Sequence, residues 1–184
     1  MKKAIFGFVM AMCATCAAGQ SGAMKRYRYV DYSLGFELSY PASYRTTELP
    51  CVVARSLARE GLQSLLYVSK GAGENQGNIL LILDRRHFSL ATLETRYAHT
   101  GWEEPQQVQV GAHTFYLYGA GGGGTTYPDD YIYNLNGLIL EIRFDGPYVS
   151  GSKSPVEETQ QVEKKVLGSF RVLAAKAPAE WHRY

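Results

Sequence analysis

The side chains able to do chemistry lie far apart in this chain. Four histidines, His87, His99, His113 and His182, fall in unrelated segments. They form no His-Glu-x-x-His and no close pair, so each reads as a surface or hydrogen-bonded side chain rather than a ligand or base. Gly-x-Ser-x-Gly is absent, which leaves no serine with the spacing of an activated nucleophile. Asp84, Arg85 and Arg86 can form an acid and anion-binding cluster, the one place where a cryptic hydrolase would find its groups, although charges are ordinary where a strand runs out into water. The glycine run 119–124 invites a phosphate-loop reading. It fails, because Thr125-Thr126-Tyr127-Pro128 follows in place of Lys-Ser or Lys-Thr and a helix. The run does separate Tyr116 and Tyr118 from Tyr127, Asp129 and Asp130. Aromatic faces with acidic acceptors suit sugars or peptide segments, so these five residues are the candidate ligand-binding set, although tyrosines alternating along strands are packing first. No metal site, cofactor motif or catalytic set is expected.

The N-terminus bounds the setting. Lys2 and Lys3, the apolar run from Ala4 to Met12 and the small residues Cys16-Ala17-Ala18-Gly19 have the three parts of a secretory signal, assigned to residues 1–19. The apolar run is shorter than the roughly 20 residues of a spanning helix, so the expectation is an exported periplasmic or extracellular protein, not an integral membrane protein. A lipoprotein modified at Cys13 or Cys16 is the rival, but the residues before them fit a lipobox poorly. Cleavage leaves about 165 residues, enough for a single domain over 24–173 with a flexible tail over 174–184. Removing Lys2 and Lys3 takes Lys+Arg from 19 to 17 against 17 acidic residues. That balance, with Lys25-Arg26-Arg28 as the only basic knot, argues against nucleic acid as a partner. Of the three cysteines only Cys51 remains, which excludes an internal disulfide. Beside Val52 and Val53 it reads as a small buried apolar residue.

The best-specified element is Tyr131–Asp145, two antiparallel strands joined by Asn136-Gly137, the dipeptide suited to a type I′ turn. Such a turn pairs Leu135 with Leu138, Tyr133 with Leu140 and Tyr131 with Ile142, and sends these six and Phe144 to one face. Asn134, Glu141 and Arg143 go to the other with Ile132 and Ile139. That face reads as wet, and Glu141→Ala is expected to be nearly silent. Tyr27–Pro41 reads as another hairpin, Val52-Val53 as a short strand, and Leu62–Val68 as a strand. Ile79–Leu83 reads as a central strand covered on both faces. A helix starts at Ser89 with a Leu90, Leu93, Tyr97 stripe and stops at Gly101. Val108–Tyr118 is a weaker hairpin. A last helix opens on a Ser154/Glu157 capping box, buries Val162, Val166 and Leu167, keeps Glu163, Lys164 and Lys165 wet, and stops at Gly168 before a closing strand, Ser169–Val172.

This order of elements, with Gly35-Phe36-Glu37-Leu38-Ser39-Tyr40-Pro41 near the start and Val166-Leu167-Gly168-Ser169-Phe170-Arg171-Val172 at the close, is similar to the PsbP-like family, relatives of an extrinsic photosystem subunit, and to small periplasmic proteins of that fold. The resemblance covers roughly Tyr29 to Val172. It implies an α+β protein, an antiparallel sheet between helices, with a non-catalytic accessory or binding role and an envelope protein or glycan as partner.

Overall fold

Asn136 and Gly137 both take positive φ, 54° and 88°, as a type I′ turn demands. The strands they join are paired in the expected register, Leu135 with Leu138, Tyr133 with Leu140 and Tyr131 with Ile142. The computed structural model containing this hairpin describes residues 25–71, 77–97, 105–119, 129–146 and 153–174, with 153–159 as backbone only. The leader, Tyr127, His99, His182, glycines 121–124, Gly101, the capping-box side chains and the tail beyond Ala174 lie outside the described residues.

In chain order the elements are β1 (Arg26–Asp31), β2 (Phe36–Pro41), β3 (Arg45–Thr46), α1 (Cys51–Arg59), β4 (Gln63–Ser69), β5 (Asn78–His87) and α2 (Leu90–Tyr97), then β6 (Gln106–Val110), β7 (His113–Tyr118), β8 (Asp129–Leu135), β9 (Leu138–Asp145), α3 (Lys153–Leu167) and β10 (Arg171–Val172). Seven strands form an antiparallel sheet in the order β3-β4-β5-β9-β8-β7-β6. The first hairpin does not join it. With β10 it makes a second sheet, β1-β2-β10. The protein is α+β, and no helix among the described residues is long and apolar enough to cross a membrane.

Both faces of the seven-stranded sheet are covered. On one, Val162, Val166 and Leu167 of α3 and Phe36, Leu38 and Tyr40 of β2 pack with Ile79, Leu81, Leu140, Ile142 and Phe144. Ser169 fastens the end of α3 to β2, accepting from the Ser39 N–H at 2.8 Å and donating to the Ser39 carbonyl at 3.1 Å. On the other face, Leu93 and Tyr97 of α2 pack on Tyr118, Ile132 and Ile139, while Leu57 of α1 packs with Leu62, Leu80 and Ile82. Ser89 caps α2 as expected, its Oγ accepting from the Thr92 N–H at 3.0 Å. Leu90, placed in the buried stripe by sequence, is exposed.

Two local expectations are overturned at one place. Val52 and Val53 are helical, because Pro50 supplies a helix entry without needing an N–H and Leu49, Val53 and Leu57 fall on one stripe facing the sheet. Cys51, expected inside, is exposed at the first turn of that helix. Leu140, by contrast, is fully buried on the α3 face. Leu140→Ala is expected to lower stability by about 2–5 kcal/mol, measured from denaturant unfolding midpoints.

Candidate functional site

The helix α2 lies over the part of the sheet where β5, β9 and β8 run side by side, and alternation points Asp84, Glu141, Arg143 and Asp130 toward it. The cross-strand register sets Arg143 directly opposite Asp130, and Arg143 clamps it through both Nε (2.8 Å) and Nη2 (3.0 Å). Arg143 also reaches Glu141 Oε1 at 2.9 Å. From above, Arg96 of α2 pairs with Glu141 Oε2, and Tyr97 donates its hydroxyl to that oxygen at 3.1 Å. Arg96 then approaches Asp84 at 3.5 Å. Asp84 is held from its other side by Arg86, at 2.9 Å through Nε and 2.6 Å through Nη2, with the Arg86 N–H on Oδ1 at 2.9 Å. Register between β5 and β9 breaks between Asp84 and His87. That irregularity turns Arg86 back toward its own strand.

Arg86, Asp84, Arg96, Glu141, Arg143 and Asp130 therefore make one chain of alternating charge drawn from four elements. Its interior is dry. The Glu141 side chain is fully buried, Arg96 is 5% exposed, and only Arg86 and Arg143 reach water, at 48% and 26%. Burial pushes the Asp84 carboxyl up, but the Arg86 hydrogen bonds and the Arg86 and Arg96 charges outweigh it, and the group ends below its ordinary range. For Asp130 the balance goes the other way. Burial, then the charge of Glu141, push it up to about 7 against the pull of Arg143. Burial acts to lower the Arg96 guanidinium, but the charges of Glu141, Tyr97, Asp84 and Asp130 together outweigh it and raise it overall. Tyr97 is held well above its usual value by burial and by Glu141.

The placement of the sequence-derived candidates follows from strand alternation. Tyr116 and Tyr118 sit on β7 facing α2. Tyr118 is buried and stacked on Tyr97 at 3.9 Å, and Tyr116 is half-buried against Phe88 at 5.5 Å. Asp130 shares that face, whereas Asp129 points to the α3 face, where it meets Glu163. The four described members of the set thus divide between two faces of the sheet. In the Asp84-Arg85-Arg86 cluster, Arg86 does join Asp84, but Arg85 turns away to Gln63 at 3.2 Å. Asp84 is not at a wet strand end, since it is 1% exposed. Among the histidines, His87 is exposed, while His113 Nδ1 lies 3.2 Å from the Tyr133 hydroxyl and its ring meets Phe170 edge-on.

Glu141, Glu163 and Arg96 were not legible as interior residues. The face of the hairpin carrying Glu141 is not wet, and Glu163, expected outside, is 4% exposed. The available signal was β5 itself. A strand apolar on both sides needs cover on both faces, and that cover extends over its neighbour β9.

No family model and no curated protein matches the chain. Solved structures do. The solution structure of cyanobacterial PsbP (CyanoP) from Synechocystis sp. PCC 6803 is similar over 85% of this chain and 97% of that one, with a TM-score of 0.49 and 12% identity. The Saccharomyces cerevisiae Ran-binding protein Mog1p is similar over 82% of this chain and 97% of its own, with a TM-score of 0.44 and 11% identity. A PsbP structure is thus among the solved structures this chain is similar to. The α+β class stands on the strands and helices themselves.

Proposed function

We propose that the chain is an exported, non-enzymatic accessory or binding protein of the cell envelope, working through contact rather than turnover. The observation that carries this reading is the alternating chain from Arg86 to Asp130. Its charged groups are engaged with one another under α2, and Asp84, held between Arg86 and Arg96, is a weak base because its ionised form is the stabilised one. The leader-like residues 1–19 supply the envelope setting.

The full-length chain, expressed in a Gram-negative host, is expected in the osmotic-shock fraction with an N-terminus just after Ala18 or Gly19, read by mass spectrometry. The mature protein is expected to retain an envelope protein or a glycan, which pull-down from envelope extract and a glycan array tell apart. An unprocessed chain in the cytosol would remove the envelope reading. Turnover of ester, peptide, glycoside or phosphate-ester substrates that vanished in a folded Asp84→Asn variant would replace the binding role with a hydrolase.

A further inference from the structure

The second group of acids lies on the opposite face of the sheet. Asp129 and Tyr131 are two residues apart on β8 and point toward α3, which lowers Glu163 between the apolar side chains Val162 and Val166. The Asp129 and Glu163 side chains are in hydrogen-bonding contact, and the two residues are 3% and 4% exposed. The Tyr131 hydroxyl donates to Glu163 Oε2 at 3.1 Å. Glu163 Oε1 is buried and has no hydrogen-bond donor. Two carboxylates in contact offer only acceptors, so a hydrogen bond between them requires a proton on one of them. Gly119 borders the pair. A Cβ there would stand 3.0 Å from the Asp129 Cα and closer still to its carboxylate, so the glycine is what leaves the Asp129 side chain its place.

We infer that Asp129 and Glu163 share a single proton beneath α3, and that losing this proton loosens the helix from the sheet. The proton is the donor that Glu163 Oε1 lacks. Once it leaves, two negative charges face each other in a dry site, where like charges within contact are strongly unfavourable. Asp129 is carried by β8, an interior strand of the large sheet, so the movable partner is the helix carrying Glu163.

The groups that bear on Glu163 are Asp129 and Tyr131, both from β8. From β2 the same cluster receives Phe36, Leu38 and one titratable side chain, Tyr40, whose hydroxyl burial and Tyr27 hold up. On α3 itself Lys164 is exposed and Lys165 partly so. Burial, then the charge of Asp129, push the Glu163 carboxyl up to about 8. A carboxyl raised on folding gives stability that is complete below its unfolded value and is lost as pH climbs through its folded one. The device therefore works across the span between those two values, from mildly acid pH up to about 8, docked on the acid side.

The test is hydrogen exchange of the α3 amides, corrected for intrinsic rates, between about pH 6 and about pH 9. In the wild type, protection of residues 160–167 is expected to fall by about tenfold per pH unit until the carboxyl is ionised. In Glu163→Gln, whose amide can donate to Asp129 at every pH, that decline should be absent. Asp129→Asn should flatten it likewise and serves if the first variant does not fold. Local protection decides, not the global midpoint, because the raised carboxyl of Asp130 on the other face slopes the same way. An unchanged decline in either folded variant would overturn the shared proton. So would calcium restoring wild-type protection at alkaline pH, which would put a cation where we place the proton.

Discussion

Glu141→Ala is expected to destabilise the protein by about 3–5 kcal/mol, as much as the loss of a large core side chain. The reason lies in what remains. Removing this carboxylate leaves Arg96 and Arg143 facing each other beneath α2, with Arg96 almost wholly buried and its hydrogen bond gone. Tyr97 loses its acceptor as well. Arg96 and Tyr97 have no route to water except by lifting α2, so unfolding or local detachment of the helix is the relief available. Urea denaturation of the variant should show the loss, and a second variant sharpens it. Arg96→Met combined with Glu141→Leu should be less destabilised than the sum of the two single changes, because the pair is removed together. A loss below about 1 kcal/mol for Glu141→Ala would mean the network is hydrated and α2 does not seal it.

Phe170→Ala is expected to cost about 3–5 kcal/mol, near the upper end for a single core residue. Its ring is fully buried where the two sheets meet. It contacts Phe36 of β2 at 5.9 Å, Phe115 of β7 at 5.6 Å and Tyr133 of β8 at 4.8 Å, with His113 at 5.1 Å. No single neighbour can collapse into the space, since they are anchored on three different strands. Phe170→Leu should recover most of the loss by restoring apolar volume. If the alanine variant unfolds at the wild-type denaturant midpoint, the small sheet is not packed on the large one through this ring.

Much of this architecture can be read from residue order, and the failures share a cause. The Asn136-Gly137 hairpin was legible because its turn chemistry and its alternation independently fix the same register. β5 was legible because an unbroken apolar run has few alternatives, and Ser89 because capping is local. The interior charges were not, since a glutamate or arginine on a strand normally marks water and its partner here arrives from a distant helix. Glu141 and Arg96 are 45 residues apart. The helix at Cys51–Arg59 was missed because paired β-branched valines favour strand locally, whereas the stripe through Leu49, Val53 and Leu57 has meaning only once a sheet is there to receive it. The candidate binding set was chosen by nearness in sequence. On a strand, adjacent residues such as Asp129 and Asp130 are the ones that part company.

The alternating ions under α2 also constrain how this sequence can drift. A substitution at any one of the buried members strands its neighbours, while exchanging the interior group together for well-packed apolar side chains is tolerated or even stabilising. Accepted changes should therefore arrive in linked sets, and diverged copies of this fold should carry the six-membered row nearly intact or have abandoned it for hydrocarbon.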